Sequence, residues 1–172
     1  MAKKDIQRVT DNVTIEGARL MFKNFSGEEG RYNAPGKRNF CVIIPDDQLA
    51  DRLVHDGWNV KMLRARNEDE DDRPYLKVNV HFGGPRAPKV VMITSSGRTV
   101  LTEETIGSLD FADILNVDLI IRPYNWEGIN GSGVAAYLKT MYVTIDEDDL
   151  EKKYHIPRDL SDDFEEDLPF ND

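Results

Sequence analysis

Aromatic and basic side chains alternate along three segments of this 172-residue sequence, with a spacing that would place them on one exposed surface. Residues two apart in a β-strand point to the same face of the sheet. The aromatic and basic residues with this spacing are Tyr75 and Lys77 in the first segment, Arg122, Tyr124 and Trp126 in the second, and Tyr137 and Lys139 in the third. Exposed aromatic rings can stack on nucleic-acid bases, and basic side chains neutralise the phosphates beside them.

A surface of this kind is suited to single strands, because their unpaired bases are free to stack. Further basic residues are expected to flank it, among them Arg64, Arg86 and Arg98. The sequence therefore predicts a binding site for single-stranded nucleic acid, without deciding between DNA and RNA. The alternative for any one ring is burial in the core, and three aromatics are candidates for it: Trp58, Tyr137 and Tyr142.

Residues that could catalyse a reaction or hold a metal show no arrangement typical of an enzyme. His55, His81 and His155 lack the close helical spacing of metal-binding pairs, which leaves only a composite site open. Cys41 lies in an apolar run and is expected to be an inert buried thiol. Because it is the single cysteine, an internal disulfide is excluded. We therefore expect a protein that is not an enzyme and needs no cofactor or metal.

Two motifs resemble ligand-binding loops only in part. Gly128, Gly131 and Gly133 are flanked by strand patterns, and the helix and Lys-Ser/Thr pair of a phosphate-binding loop do not follow them, so a hairpin connection is predicted. The acidic run 68–72 lacks the glycine and the terminal glutamate of a calcium loop, so a solvated loop is predicted.

Negative charge is concentrated at the C-terminal end of the sequence. Residues 146–172 hold 12 acidic and 3 basic residues, a net charge of −9, out of −10 for the whole chain. Residues 1–145 hold 20 acidic and 19 basic residues, and 5 of the acidic ones lie in the run 68–72, which leaves a mildly basic body. A terminal block of like charge is typical of an interaction tail or an electrostatic regulator, the alternative being a tail that only aids solubility.

Short apolar–polar alternations predict six or seven strands. They fall in segments bounded by turn residues: 13–22 with a break near Gly17, 39–44, 58–66, 75–82, 89–94, 117–124 and 134–145. A helix is predicted from Asp46 or Asp47 to Gly57, because Leu49, Leu53 and Val54 share one helical face. Shorter helical stretches are predicted over 101–109 and 146–154.

These elements indicate a mainly β fold with inserted helices. A five-stranded Greek-key barrel of the oligonucleotide/oligosaccharide-binding (OB) type fits best. The expected domain covers residues 1–158, and residues 159–172 are expected to be an acidic, disordered interaction tail. No apolar run approaches the ~18 residues of a membrane span, and the N-terminus lacks the apolar core of a secretion signal, so a cytoplasmic location away from membranes is expected.

The end of the tail resembles the acidic tail of bacterial single-stranded DNA-binding proteins, in which carboxylates precede a short apolar tip. The residues that carry this resemblance are Phe164, Asp167, Leu168, Pro169 and Phe170. In the bacterial proteins the phenylalanine is the last residue, whereas Asn171 and Asp172 follow it here. Such a tail can compete with phosphates for a basic groove, and its apolar residues can anchor in a partner's pocket.

The body resembles the phage-encoded single-stranded DNA-binding proteins. The similarity runs diffusely over residues 10–146 and the tail, and it is carried by 36–40 before a buried strand, 122–126, the glycine hairpin and the last strand through Tyr142. It implies an OB barrel that binds single-stranded DNA without sequence preference and without catalysis, protecting exposed strands during phage replication and recombination. It also implies that the tail modulates DNA binding and recruits replication or recombination proteins, in the host cytoplasm.

Other functions are left open by the sequence. The acidic tail could instead mimic DNA, so that the chain is a protein-interaction module that occupies the nucleic-acid site of another protein. A metal-dependent nuclease would need grouped carboxylates, which the strands do not show. No coiled coil or apolar interface is legible, so whether the chain forms a homo-oligomer is not determined.

Overall fold

In the computed structural model, residues 8–31 and 33–146 are described. The helix predicted over 146–154, beyond Asp146 itself, and the disorder predicted for 159–172 lie outside the described residues. Within the described residues, no helix is long and apolar enough to cross a membrane.

Nine strands, one α-helix and one 3-10 helix make up the described part of the chain. In chain order these are β1 (Val13–Ile15), β2 (Leu20–Asn24), β3 (Arg38–Ile43), α1 (Asp47–Asp56), β4 (Val60–Leu63), β5 (Arg73–Val80), β6 (Lys89–Thr94), β7 (Gly97–Leu101), the 3-10 helix (Ile106–Asp110), β8 (Ile114–Gly128) and β9 (Gly131–Ile145).

The main sheet closes on itself as a barrel. Its strand order is β1-β8-β9-β5-β3-β2, so its two ends are successive strands of one segment. Backbone hydrogen bonds continue across the break in that segment, since Ala18 N donates to Val117 O at 2.8 Å and Ile43 N donates to Arg19 O at 3.0 Å. With β1 and β2 counted as one interrupted strand, this is a five-stranded barrel in which β5 and β9 are parallel and the other pairs antiparallel. The predicted OB-like fold class is confirmed.

Period-two alternation decides which side chains fill the barrel. Along β5, Leu76, Val78 and Val80 are buried, while Tyr75 and Lys77 lie on the other face. The same alternation on β3, β8 and β9 brings the remaining core residues together, among them Phe40, Val42, Leu119, Ile121, Leu138 and Met141. Each such side chain contributes roughly 1.5–3 kcal/mol by leaving water, so the core fixes which face is outward.

Helix α1 has the ends that the sequence predicts. The Asp46 side chain accepts a hydrogen bond from Leu49 N at 2.7 Å, which caps the first turn. Gly57 ends the helix with φ of 95°, a left-handed conformation that favours glycine. The helix buries Ala50 and Leu53 in the barrel core.

The structure differs from the predicted elements most clearly in two places. Residues 95 and 96 form a turn that leads into β7, a strand that was not predicted, and Leu101 ends that strand instead of beginning a helix. The reason is pairing with β6, which places Leu101 opposite Val90 in the core, so the 3-10 helix begins only at Ile106. The glycine-rich connection is also shorter than expected, because β8 and β9 continue until Gly128 pairs with Gly131.

Candidate nucleic-acid interface

The three segments with alternating aromatic and basic residues become β5, β9 and β8, which are adjacent in the barrel. Tyr137 on β9 lies opposite Arg122 on β8 and opposite Asn79 on β5. We call the seven predicted residues on the outer side of these strands the aromatic face: Tyr75, Lys77, Arg122, Tyr124, Trp126, Tyr137 and Lys139. The tertiary structure therefore brings together residues that are more than 60 positions apart in the sequence.

The centre of the aromatic face is a cluster of two tyrosines and an arginine. The rings of Tyr124 and Tyr137 meet edge to face with centroids 5.5 Å apart. The Arg122 guanidinium carbon lies 5.1 Å from the Tyr137 ring centroid, within the range of a cation–π contact. Arg122 Nε is buried and has no hydrogen-bond partner among the described residues. The contact holds a cation beside rings that a base could stack on.

Two rings of the aromatic face, those of Tyr124 and Trp126, lie on the surface and not in the core. Tyr124 is 51% exposed and Trp126 is 42% exposed, whereas Trp58 is buried at 4%. Tyr137 and Tyr142 are half-buried. Of the three core candidates, only Trp58 is therefore fully buried.

Trp126 lies against the backbone of the partner strand. Its register partner is Gly133, and a Cβ built on Gly133 would be 2.9 Å from Cζ2 of the indole. A real Cβ essentially never approaches another atom that closely, so the indole can take this position only because residue 133 is glycine. One side of the ring system is thus supported by β9.

Lys139 projects from an irregularity in β9. Ile120 pairs with Thr140 and Ile121 pairs with Leu138, so Lys139 is an extra residue without a partner on β8. Such bulges often redirect a side chain near a functional site. The Lys139 side chain is exposed.

Phe22 lies beside the β5 end of the aromatic face. It was predicted only as part of a strand. Phe22 is 64% exposed, and its ring meets the Tyr75 ring edge to face at 6.3 Å. Its φ of +50° is unusual for a non-glycine residue and costs roughly 1 kcal/mol or more. The signal for exposure was present, because three successive apolar residues, Leu20 to Phe22, cannot all point inward from a strand.

The flanking basic residues do not all join the aromatic face. Arg64 lies with Arg66 and Arg73 around a cleft of about 530 Å³ that Phe22 also lines, together with Glu70 and Asp71. Arg86 lines a groove with Arg122 and Lys139. Arg98 is exposed on β7. Its register partner on β6 lies four residues from Lys89, which is roughly 13 Å along the strand. The tail residues Phe164, Asp167, Leu168, Pro169 and Phe170 lie outside the described residues.

Cys41 lies near the aromatic face, opposite Lys77 in the strand register. Burial raises the pKa of its thiol, and the neighbouring charges of Lys77 and Lys61 offset this only in part. A raised pKa keeps the thiol protonated at neutral pH, so it is a poor nucleophile. Within residues 8–31 and 33–146, no cluster of three or more His, Cys, Asp or Glu side chains could hold a metal ion.

Comparison with known proteins gives matches at the level of family and fold. A family model described as "Putative phage ssDNA-binding domain" matches residues 2–170. No curated protein matches the sequence. Two structures of the single-stranded DNA-binding protein from bacteriophage Enc34 are similar in fold. The one in complex with ssDNA has a TM-score of 0.53 at 14% identity, over 80% of this chain and 88% of that one. A second has a TM-score of 0.52 at 13% identity, over 87% and 89% of the two chains.

Proposed function

This chain belongs to the family of phage ssDNA-binding domains, and from that premise we propose that it binds single-stranded DNA on its aromatic face, without sequence preference. The observation that carries the proposal is the cluster of Tyr124, Tyr137 and Arg122, in which an exposed ring and a half-buried ring adjoin a cation. Its role is to protect exposed strands during phage DNA replication and recombination, in the host cytoplasm. The function is binding and not catalysis.

The aromatic face can serve both parts of a nucleotide. Tyr124 and Trp126 offer ring surfaces for stacking, worth about 1–3 kcal/mol per base. Arg122 and Lys139 supply positive charge for the phosphates. Stacking is tolerant of base identity because every base has a π-face, which accounts for binding without sequence preference. Duplex DNA would present no free base to these rings, so single strands are preferred.

A titration with matched oligonucleotides tests this function. Single-stranded and double-stranded forms of one sequence are titrated at two salt concentrations, with binding followed by fluorescence anisotropy. We expect tighter binding of the single strand at both concentrations and weaker binding of both forms at the higher one. Equal affinity for the two forms would contradict the proposed function, and cleavage of the strands in magnesium would indicate a nuclease.

We further propose two roles for the acidic tail, residues 159–172. Its carboxylates compete with phosphates for the basic residues of the body, which screens the aromatic face when DNA is absent. Its apolar residues, Phe164, Leu168 and Phe170, dock into pockets of replication or recombination proteins. The charge segregation supports both roles, since residues 146–172 carry −9 of the net charge of −10.

The same segregation favours a second candidate function, a module whose tail mimics DNA and occupies the nucleic-acid site of another protein. The titration separates the two functions. A DNA mimic would leave both oligonucleotides unbound while the full chain binds a polymerase or nuclease in a pull-down.

A further inference from the structure

A groove of about 830 Å³ crosses β6, β9 and β8 beside the aromatic face and ends at residues 8–12. Its lining includes five basic residues, which we call the cationic groove: Arg8, Arg86, Lys89, Arg122 and Lys139. The other lining residues are neutral, and none of those described is Asp or Glu. Four of the five basic side chains are exposed, and Arg122 is half-buried.

One wall of the cationic groove is fixed by a pair of hydrogen bonds to a side-chain amide. Val9 N donates to Asn125 Oδ1 at 2.9 Å, and Asn125 Nδ2 donates to Val9 O at 2.8 Å. The side-chain amide of Asn125 thus makes the two hydrogen bonds that the backbone of a neighbouring strand would make. Asn125 lies in the part of β8 that extends beyond the residues paired with β1. This holds Arg8 at the end of the groove.

In the part of the chain that the structure describes, no carboxylate pairs with the positive charge of the cationic groove. Clustered like charges repel one another, which disfavours the empty groove and favours occupation by an anion. The unpartnered Nε of Arg122 adds a buried donor at the same place.

The groove is continuous with the aromatic face but differs from it in chemistry. Arg122 and Lys139 belong to both, whereas the lining of the groove contains no aromatic residue. We propose that the cationic groove binds the sugar–phosphate backbone of the same single strand after it leaves the aromatic face, holding phosphates without stacking bases. This inference rests on the proposed function; it extends the site to Arg8 and Lys89 and assigns phosphate binding to Arg86, which the sequence predicted only as a flanking residue.

Strand length and salt dependence together test the proposal. The full chain, a groove variant R86Q/K89Q and a control variant R19Q/R52Q are titrated with oligothymidines of about 6 and about 20 nucleotides, one within and one beyond the roughly 4–16 nucleotides bound by one OB fold. Both variants lose two positive charges from exposed positions, but Arg19 lies between β1 and β2 and Arg52 lies on α1, outside the groove. Circular dichroism confirms that each variant is folded.

We expect R86Q/K89Q to weaken binding of the long strand about tenfold and to lower its salt slope, log K against log salt, by about 1.4, because each single-strand phosphate contact contributes about 0.7. Its binding of the short strand should match that of R19Q/R52Q. The inference is overturned if the two variants behave alike on the long strand, or if R86Q/K89Q loses as much affinity for the short strand as for the long one. If the unaltered chain binds neither oligothymidine, the proposed function itself fails.

Discussion

The two tryptophans of the chain lie in opposite environments, and this makes them useful probes of the proposed site. Trp58 is buried just after the end of α1, where its backbone N–H donates to Leu53 O at 2.9 Å. Trp126 lies on the aromatic face with one side supported by Gly133. A base that stacks on the aromatic face should therefore change the fluorescence of Trp126 and leave that of Trp58 unchanged.

Replacing Trp126 with alanine should weaken binding of single-stranded DNA by about 1–3 kcal/mol, the value of one stacking contact. It should also abolish the fluorescence change on binding, while W58F serves as the control that retains the change. Thermal unfolding followed by circular dichroism should show the variant folded. An unfolded W126A protein would mean that the indole is part of the core.

Phe22 is the residue whose role the structure revises most. Its exposure, its contact with Tyr75 and its strained backbone together suggest a further stacking position at the β5 end of the aromatic face. We expect F22A to weaken single-strand binding, by at most the 1–3 kcal/mol of one base, without lowering the melting temperature.

Phe111 provides the matched control for this prediction, because its side chain is 86% exposed. Among the described residues, its ring contacts no ring of the aromatic face. F111A should bind DNA as the unaltered chain does. A loss of affinity that is equal in F22A and F111A would assign no binding role to Phe22.

At the scale of elements, α1 supports the barrel through its buried side. Its Leu53 is 1% exposed, whereas the next residue, Val54, is 59% exposed. L53A should lower the free energy of unfolding by about 2–5 kcal/mol in urea titrations, because it leaves a cavity in the core. V54A should change it little. Under conditions in which both are folded, both should bind single strands equally, and a selective loss of binding in L53A would contradict a purely structural role.

The paired strands β8 and β9 show why the ends of strands are hard to predict from the sequence. Gly128, Gly131 and Gly133 predicted a hairpin connection, which is confirmed, but only Ile129 and Asn130 separate the two strands. The glycines serve other needs, since Gly131 has φ of 137° in the turn and Gly133 accommodates Trp126. Pairing with a neighbouring strand adds hydrogen bonds that the β propensity of the local sequence does not include. This is also why β7 was not predicted.

At the scale of the whole molecule, the acidic tail and the basic body should oppose each other. Deleting residues 159–172 should tighten single-strand affinity, most clearly at low salt, because carboxylates no longer compete with phosphates. A control chain in which Phe164, Leu168 and Phe170 are replaced by alanine keeps all the charges and should retain the unaltered affinity. Unchanged or weaker binding after the deletion would contradict the screening role.

The sequence by itself determined the class of the fold and the type of site. Alternation along 75–82 and the cap and glycine around α1 are local signals, and they predicted an OB-like barrel because burial and capping act over a few residues. The same alternation selected Tyr75, Lys77, Arg122, Tyr124, Trp126, Tyr137 and Lys139 for an outer face.

Only the tertiary structure decided which of these residues meet and what lies beside them. The contact of Arg122 with Tyr137, the bulge at Lys139 and the position of Arg8 beside Asn125 each depend on the register between segments that are distant in the chain. Register is set by which apolar side chains share the core and by bulges that shift it, and neither can be computed from one strand alone. The cationic groove is therefore a property of the closed barrel, whereas the proposed stacking residues Tyr124 and Trp126, unlike Phe22, could be selected from the sequence alone.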